Sequence, residues 1–193
     1  MGTVGILLAA GRGRRFDPSG VQNKLLQSLP HGDAVVVASA KCLLAALPKV
    51  VAVVRPKDEQ VGAALKALGC DVTVCPDADS GMAASLVHAI EYTKDVSSWL
   101  FALGDMPYVQ ASTIRGLLAA IAAGANIAVP TYEGRRGNPV AFSRSYLPLL
   151  LALKGDQGAR SILQHYPVCE VAVLDIGIMQ DIDTRTDLIS HTR

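Results

Sequence analysis

Leu8-Ala9-Ala10-Gly11-Arg12-Gly13-Arg14-Arg15 puts two glycines and three arginines into one short stretch, and Lys24 follows a little further on. Glycine lets the backbone approach phosphate oxygens closely, and successive N–H groups form an anion nest. Arginine adds charge and a planar fork that matches phosphate oxygens in pairs. Taken alone, the stretch reads more readily as an ordinary glycine turn carrying solvated arginines. It is not the dinucleotide fingerprint, because Phe16 stands where a third glycine is needed, and no Gly-Lys-Ser/Thr of a P-loop follows. The second chemistry-bearing stretch is Gly104-Asp105-Met106-Pro107, a single acid directly behind the apolar run Trp99–Leu103. A carboxylate there is costly to bury unpaired, so it caps a helix, pairs with a cation or holds a metal. Mg²⁺ suits such a place, since it takes only one or two protein carboxylates alongside phosphate oxygens.

These residues need a scaffold, and the spacing of apolar residues supplies one. Val4–Leu8, Val50–Val54, Asp71–Cys75, Trp99–Leu103, Ile127–Val129 and Val171–Leu174 read as strands, several closed by proline or glycine. Continuous apolar runs of that length suit strands covered on both faces. Between them, Ser39–Leu47, Glu59–Leu68, Ala83–Tyr92 and Ser112–Ala123 have helical spacing, with Ser112 as the expected N-cap and Gly124 as the stop of the last. The alternation predicts an α/β fold: a doubly wound, mostly parallel sheet with helices on both faces. Ligands of such sheets sit beyond the carboxyl ends of the strands, here Gly11–Arg15, Pro76–Gly81 and Gly104–Pro107. No internal repeat or Pro/Gly/Ser-rich linker divides the chain, and residues 1–193 are expected to form one domain.

Half the residues are apolar, 18% are charged and the formal net charge is +1. Such a composition is globular and offers no general basic field for nucleic acid or a membrane surface. Cys42, Cys70, Cys75 and Cys169 lack metal-ligand spacing and read as small buried hydrophobes. His31, His88, His165 and His191 carry no assigned chemistry. The first apolar run is too short for a leader and lacks a basic flank, and none approaches the ~20 residues of a membrane span. A cytoplasmic protein with reduced thiols is expected.

The octet with Lys24 resembles the phosphate-binding signature of the molybdenum-cofactor nucleotidyltransferases and their sugar-nucleotide-forming relatives. That signature runs LAAG or LAGG, then G-x-R and a hydrophobe, then a lysine; here it is Leu8–Gly11, Gly13–Phe16 and Lys24. Asp17-Pro18-Ser19-Gly20 replaces the glycine that usually follows, so the far side of the loop is shaped differently. Gly-Asp-Met-Pro looks like the metal motif of the cytidylyltransferase branch, whereas the guanylyltransferase branch more often carries Thr-Pro-Cys-Asp and LAGG. Asp181-Ile182-Asp183-Thr184-Arg185-Thr186-Asp187-Leu188 resembles a D-x-D-T-P-E-D-L segment. Asp181 and Asp183 project to one side if the stretch is extended. The resemblance implies Asp181 as the second metal ligand, with Asp183 as its substitute, and Asp187 as structural. Asp79-Ser80-Gly81-Met82-Ala83-Ala84-Ser85-Leu86 resembles a G-M-S-S-S-L segment that opens a helix beside the nucleotide, with Gly81 and Ser85 as contacts. Gly137-Asn138-Pro139 and Gly155-Asp156-Gln157-Gly158-Ala159-Arg160 resemble acceptor-side elements, giving Asn138, Asp156 and Arg160.

What the resemblance implies is nucleotidyl transfer without a covalent intermediate. Arg14, Lys24 and Asp105 are the catalytic set. Leu8, Ala9, Ala10, Gly11, Arg12, Gly13, Gly81 and Ser85 join them around the nucleotide. Mg²⁺ or Mn²⁺ on Asp105 and Asp181 is the implied cofactor, CTP the donor and molybdenum-loaded molybdopterin the acceptor, in the service of a molybdoenzyme. GTP as donor and a sugar phosphate as acceptor are the neighbouring readings. An oxidoreductase, or an accessory protein that delivers cofactor without catalysis, are the readings of another class.

Overall fold

Apolar runs too short for long helices become the strands of one sheet. The computed structural model describes residues 2–156 and 158–190, so Gln157 of the Gly155–Arg160 element and His191 lie outside it. Four parallel strands come first in the chain: β1 (Thr3–Ala9), β2 (Val50–Val54), β3 (Asp71–Val74) and β4 (Ser98–Leu103). They are followed by β5 (Ile127–Tyr132), the short β6 (Arg135–Arg136), β7 (Val140–Ser143) and β8 (Cys169–Ala172). The spatial order is β3-β2-β1-β4-β7-β5-β6, with β8 also paired to β5. Every strand runs the same way except β6 and β7, which are antiparallel to their neighbours. The fold is the expected mostly parallel, doubly wound α/β sheet.

Successive residues of a strand face opposite sides, so each buried run feeds two cores. Leu7, Ala52 and Leu100 pack with α1 (Val35–Leu44), α2 (Glu59–Ala67) and α4 (Ala111–Ala122) on one face. Ile6, Val51, Val53, Trp99 and Phe101 pack with α3 (Met82–Tyr92), α5 (Leu147–Leu151) and α6 (Arg160–His165) on the other. Burial on both faces is why these strands read as continuous apolar runs.

The departures from the sequence expectations have local causes. α4 is not capped by Ser112; it begins after Gln110, whose N–H donates to the buried Asp175 carboxylate, as does the Thr113 hydroxyl. α1 starts at Val35 rather than Ser39, which lies inside the helix with its hydroxyl in hydrogen-bond reach of the Val35 and Gly104 carbonyls. β5 runs through Pro130 to Tyr132, the proline carbonyl accepting the Gly137 N–H at 3.0 Å. β8 is shifted toward Cys169, which leaves Leu174 outside the strand and 98% exposed. Cys70 and Cys75 are buried and Cys42 is half-buried against the same core, but Cys169 is exposed and departs from the expectation; all four are free. No helix among the described residues is long and apolar enough to cross a membrane.

Candidate active site

β1 has β2 on one side and β4 on the other, so chain connections diverge there and leave a crevice beyond the carboxyl ends of the strands. A cleft of about 440 Å³ fills that position. Leu8, Ala10, Gly11, Arg12, Arg14, Lys24, Gly81, Ser85 and Asp105 all line it, with Asp79 and Asp156. Ala9 and Gly13, expected among the nucleotide contacts, do not. The Ala9 side chain turns into the core at 1% exposure. Gly13 adopts φ +59°, and a Cβ there would sit 3.3 Å from Lys24 Cγ, so this glycine serves the lysine stem instead.

Lys24 begins a 3-10 turn, Lys24–Leu26, whose start is capped by the Asn23 side chain accepting the Leu25 N–H at 3.0 Å. Its ammonium is 8% exposed and donates to Asp105 Oδ2 at 2.6 Å and Asp183 Oδ1 at 3.1 Å. Burial alone pulls the Lys24 pKa down, but the charges and hydrogen bonds of Asp105 and Asp183 outweigh it and leave it raised. Asp183 also pairs with Arg15 at 2.7 Å. Asp181 has its pKa raised, first by burial and then by the charge of Asp183 and Asp105. Between the two acids, Ile182 is fully buried and its N–H donates to the Asp105 carbonyl at 2.8 Å. The structure thus brings Asp183, rather than Asp181, onto the lysine. Asp187 has the structural part expected of it, accepting from the Asp183 and Thr184 N–H groups at the start of α7 (Asp187–Ser190).

Sequence reasoning missed Asp79 and Arg55. Asp79 accepts two hydrogen bonds from the Arg12 guanidinium, both at 2.6 Å, and a third from Arg55 at 2.7 Å. The Arg12 hydrogen bond holds the Asp79 carboxyl below its ordinary pKa and raises that of Arg12. The position of Arg55 directly after β2, at the carboxyl edge, was the available signal. Arg14 has no ion-pair partner among the described residues. Gly81, at φ +118°, is required: a Cβ would lie 2.6 Å from both the Gly155 carbonyl and the Asp156 carboxylate. This close approach joins the start of α3 to the Gly155–Asp156 turn.

The substituted far side of the first loop has its own order. Asp17 accepts from the Ser19 hydroxyl at 2.6 Å, the Gln22 N–H at 2.7 Å and the Ser19 N–H at 3.0 Å, which together lower its pKa to about 2. Arg185 lies 5.9 Å over the Phe16 ring, tying the C-terminal segment to the loop.

A larger cleft of about 970 Å³ adjoins the first, and the two share Leu8, Met82, Leu103 and Asp156. Asn138, Asp156 and Arg160 line it, with apolar walls from Leu86, Phe101, Val129, Val140 and Phe142. Arg136 is committed to Glu170 at 2.7 Å, whereas Arg160 has no ion-pair partner among the described residues.

Among the described residues no three His, Cys, Asp or Glu side chains converge into a metal cage. The donor set on offer is the two carboxylates that already hold one cation, Asp105 and Asp183, with Asp181 beside them. Few hard oxygen donors fit Mg²⁺ or Mn²⁺ completed by phosphate oxygens, and do not fit a self-sufficient structural metal site.

The family model described as the MobA-like NTP transferase domain matches residues 5–170. The chain is 31% identical over 194 residues to the purine catabolism protein PucB of Bacillus subtilis, covering 94% of this chain and 91% of that protein. The crystal structure of Rv0371c from Mycobacterium tuberculosis H37Rv matches with a TM-score of 0.83 at 29% identity, over 97% of this chain and 95% of that one. The manganese complex of Rv0371c matches with a TM-score of 0.78 at 27% identity, over 97% and 96% of the two chains.

Proposed function

The chain belongs to the MobA-like NTP transferase domain family, and from that premise we propose that it transfers CMP from CTP to molybdenum-loaded molybdopterin. An acceptor phosphate oxygen attacks the α-phosphorus, a new phosphoanhydride bond forms, and the bond to the β-phosphate breaks as pyrophosphate leaves. The single observation that carries the reading is Lys24, which lines one cleft with Asp105 and the Gly11–Arg14 loop and donates to both Asp105 and Asp183.

In this reading the Gly11 backbone, Arg12 and Arg14 hold the β- and γ-phosphates, with Gly81 and Ser85 beside the nucleoside. Lys24 offers an ammonium to oxygens on which negative charge grows as pyrophosphate departs. Asp105 would hold Mg²⁺ or Mn²⁺ with Asp181, or with Asp183 as its substitute, and the manganese complex of the Rv0371c relative supports a divalent ion. That ion, when bound, supplies Lewis-acid neutralisation of phosphate charge. Asn138, Asp156 and Arg160 line the adjoining cleft, where shared walls would bring an acceptor phosphate beside the donor. Ala10, lining the donor cleft where the guanine-using branch carries glycine, and Gly-Asp-Met-Pro favour cytidine. A thermal-shift series with each nucleoside triphosphate and Mg²⁺ or Mn²⁺ tests the donor, since binding raises apparent stability by mass action. CTP is expected to give the largest shift; a larger shift with GTP overturns the base assignment, and none with any triphosphate overturns the transferase reading.

A further inference from the structure

Lys24 is the least exposed cation in the donor cleft, and it binds two carboxylates at once. Its Nζ lies 2.6 Å from Asp105 Oδ2 and 3.1 Å from Asp183 Oδ1, residues 81 and 159 positions away in sequence. An ordinary structural pair needs one partner. Asp183 moreover has a second cation of its own, since Arg15 takes its Oδ2 at 2.7 Å. The Lys24 ammonium therefore lies between Asp105 and Asp183, the pair that the proposed function offers to a divalent ion when Asp183 takes the second place, and the inference rests on that assignment.

We propose that Lys24 is the resident counter-cation of this carboxylate pair, and that it must leave Asp105 and Asp183 before a divalent metal can use them. Two carboxylates this close repel one another unless a cation neutralises them. The ammonium does so in the unliganded protein and keeps the two carboxylates from being driven apart. It also competes with metal, so the protein alone binds metal weakly. The triphosphate gives Lys24 a new anionic partner and frees the carboxylates. Metal and nucleotide thus bind cooperatively, each raising the affinity of the other by the same factor. The consequence is a site that loads metal together with its substrate and holds little of it otherwise.

Mn²⁺ titration followed by electron paramagnetic resonance, on the full chain without nucleotide, tests this. Lys24→Met is expected to bind Mn²⁺ about tenfold or more tightly than wild type, while Lys24→Arg, which keeps the cation, stays weak. With CTP present the advantage of Lys24→Met is expected to vanish, because the variant lacks the phosphate partner. Equal or weaker Mn²⁺ binding by Lys24→Met, in a protein whose wild type binds Mn²⁺ with CTP, overturns the inference and leaves the transferase reading standing. No Mn²⁺ binding by wild type with or without CTP overturns both. Should Lys24→Met fail to fold, side-chain ¹⁵N NMR of the unaltered protein decides. The Lys24 ammonium resonance is expected to move at saturating Mg²⁺, and an unmoved resonance in the metal-loaded protein overturns the proposal.

Discussion

The two adjoining clefts share four walls but differ in how their charges are paired. In the smaller one, beside β1, most charged groups already have partners: Lys24 with Asp105 and Asp183, Arg12 and Arg55 with Asp79. The larger one, beside β7, has apolar walls and in Arg160 a cation without an ion-pair partner among the described residues. A cleft in which Lys24 and Arg12 are already paired and Arg14 is not would suit a ligand of high negative charge, which takes over ionic partners and meets a further cation. An apolar-walled cleft whose charges outside ion pairs are Arg160 and Asp156 would suit an acceptor recognised by shape and by an anionic group at Arg160.

Four substitutions break or sharpen this contrast. The largest effect is expected from Asp105→Ala, which should lower transfer by about a thousandfold or more while circular dichroism stays native. Turnover close to wild type removes Asp105 from the chemistry. Lys24→Ala is next: CTP binding in calorimetry should weaken by about 1.5–3 kcal/mol with the acceptor KM unmoved. Equal affinity in variant and wild type takes Lys24 out of the donor site. Arg160→Ala should do the reverse, raising the acceptor KM by about tenfold and leaving CTP affinity alone. An effect on CTP instead would mean that the two clefts are one. The smallest effect is expected from Asp79→Asn, which frees Arg12 and Arg55 and should tighten CTP a few-fold at low salt. That gain should fade as salt screens it, and a loss of affinity would make Asp79 a ligand contact rather than an internal partner.

A pH experiment isolates the far side of the first loop. Asp17 has a lowered folded-state pKa, caused first by the Ser19 hydroxyl and then by the Gln22 N–H. A lowered carboxylate contributes stability above its ordinary value near 3.8 and loses it as pH falls through about 2. Melting temperatures of wild type and Asp17→Asn should therefore differ at neutral pH and converge across that window. A constant difference down to pH 2 would mean that Asp17 acts by shape alone.

Much of the scaffold was legible because its signals are local. Val50–Val54 was bounded without error, since a strand buried on both faces is apolar throughout and closed by Arg55-Pro56. β6 and β7 escaped notice: two and four residues give too little periodicity to read, and their antiparallel direction depends on distant neighbours. The expected Ser112 cap gave way to Asp175, a carboxylate more than sixty positions away. Asp79 stood inside a recognised segment, yet nothing nearby in sequence announces that it faces Arg12 and Arg55.

From its residue order alone this chain determined the strand–helix alternation, the glycine-and-arginine loop, the acid behind β4 and the family signature. Each of these follows from neighbours a few positions apart, where period, turn geometry and composition act directly. Only the tertiary structure decided which carboxylate meets which cation. Asp181 and Asp183 are equivalent on an extended strand. The buried Ile182 and its N–H bond to the Asp105 carbonyl fix the segment beside that turn, and there it is Asp183 that reaches Lys24 and Arg15. Ion pairs depend on ångström distances between segments 81 and 159 residues apart, and folding of the whole sheet sets those distances.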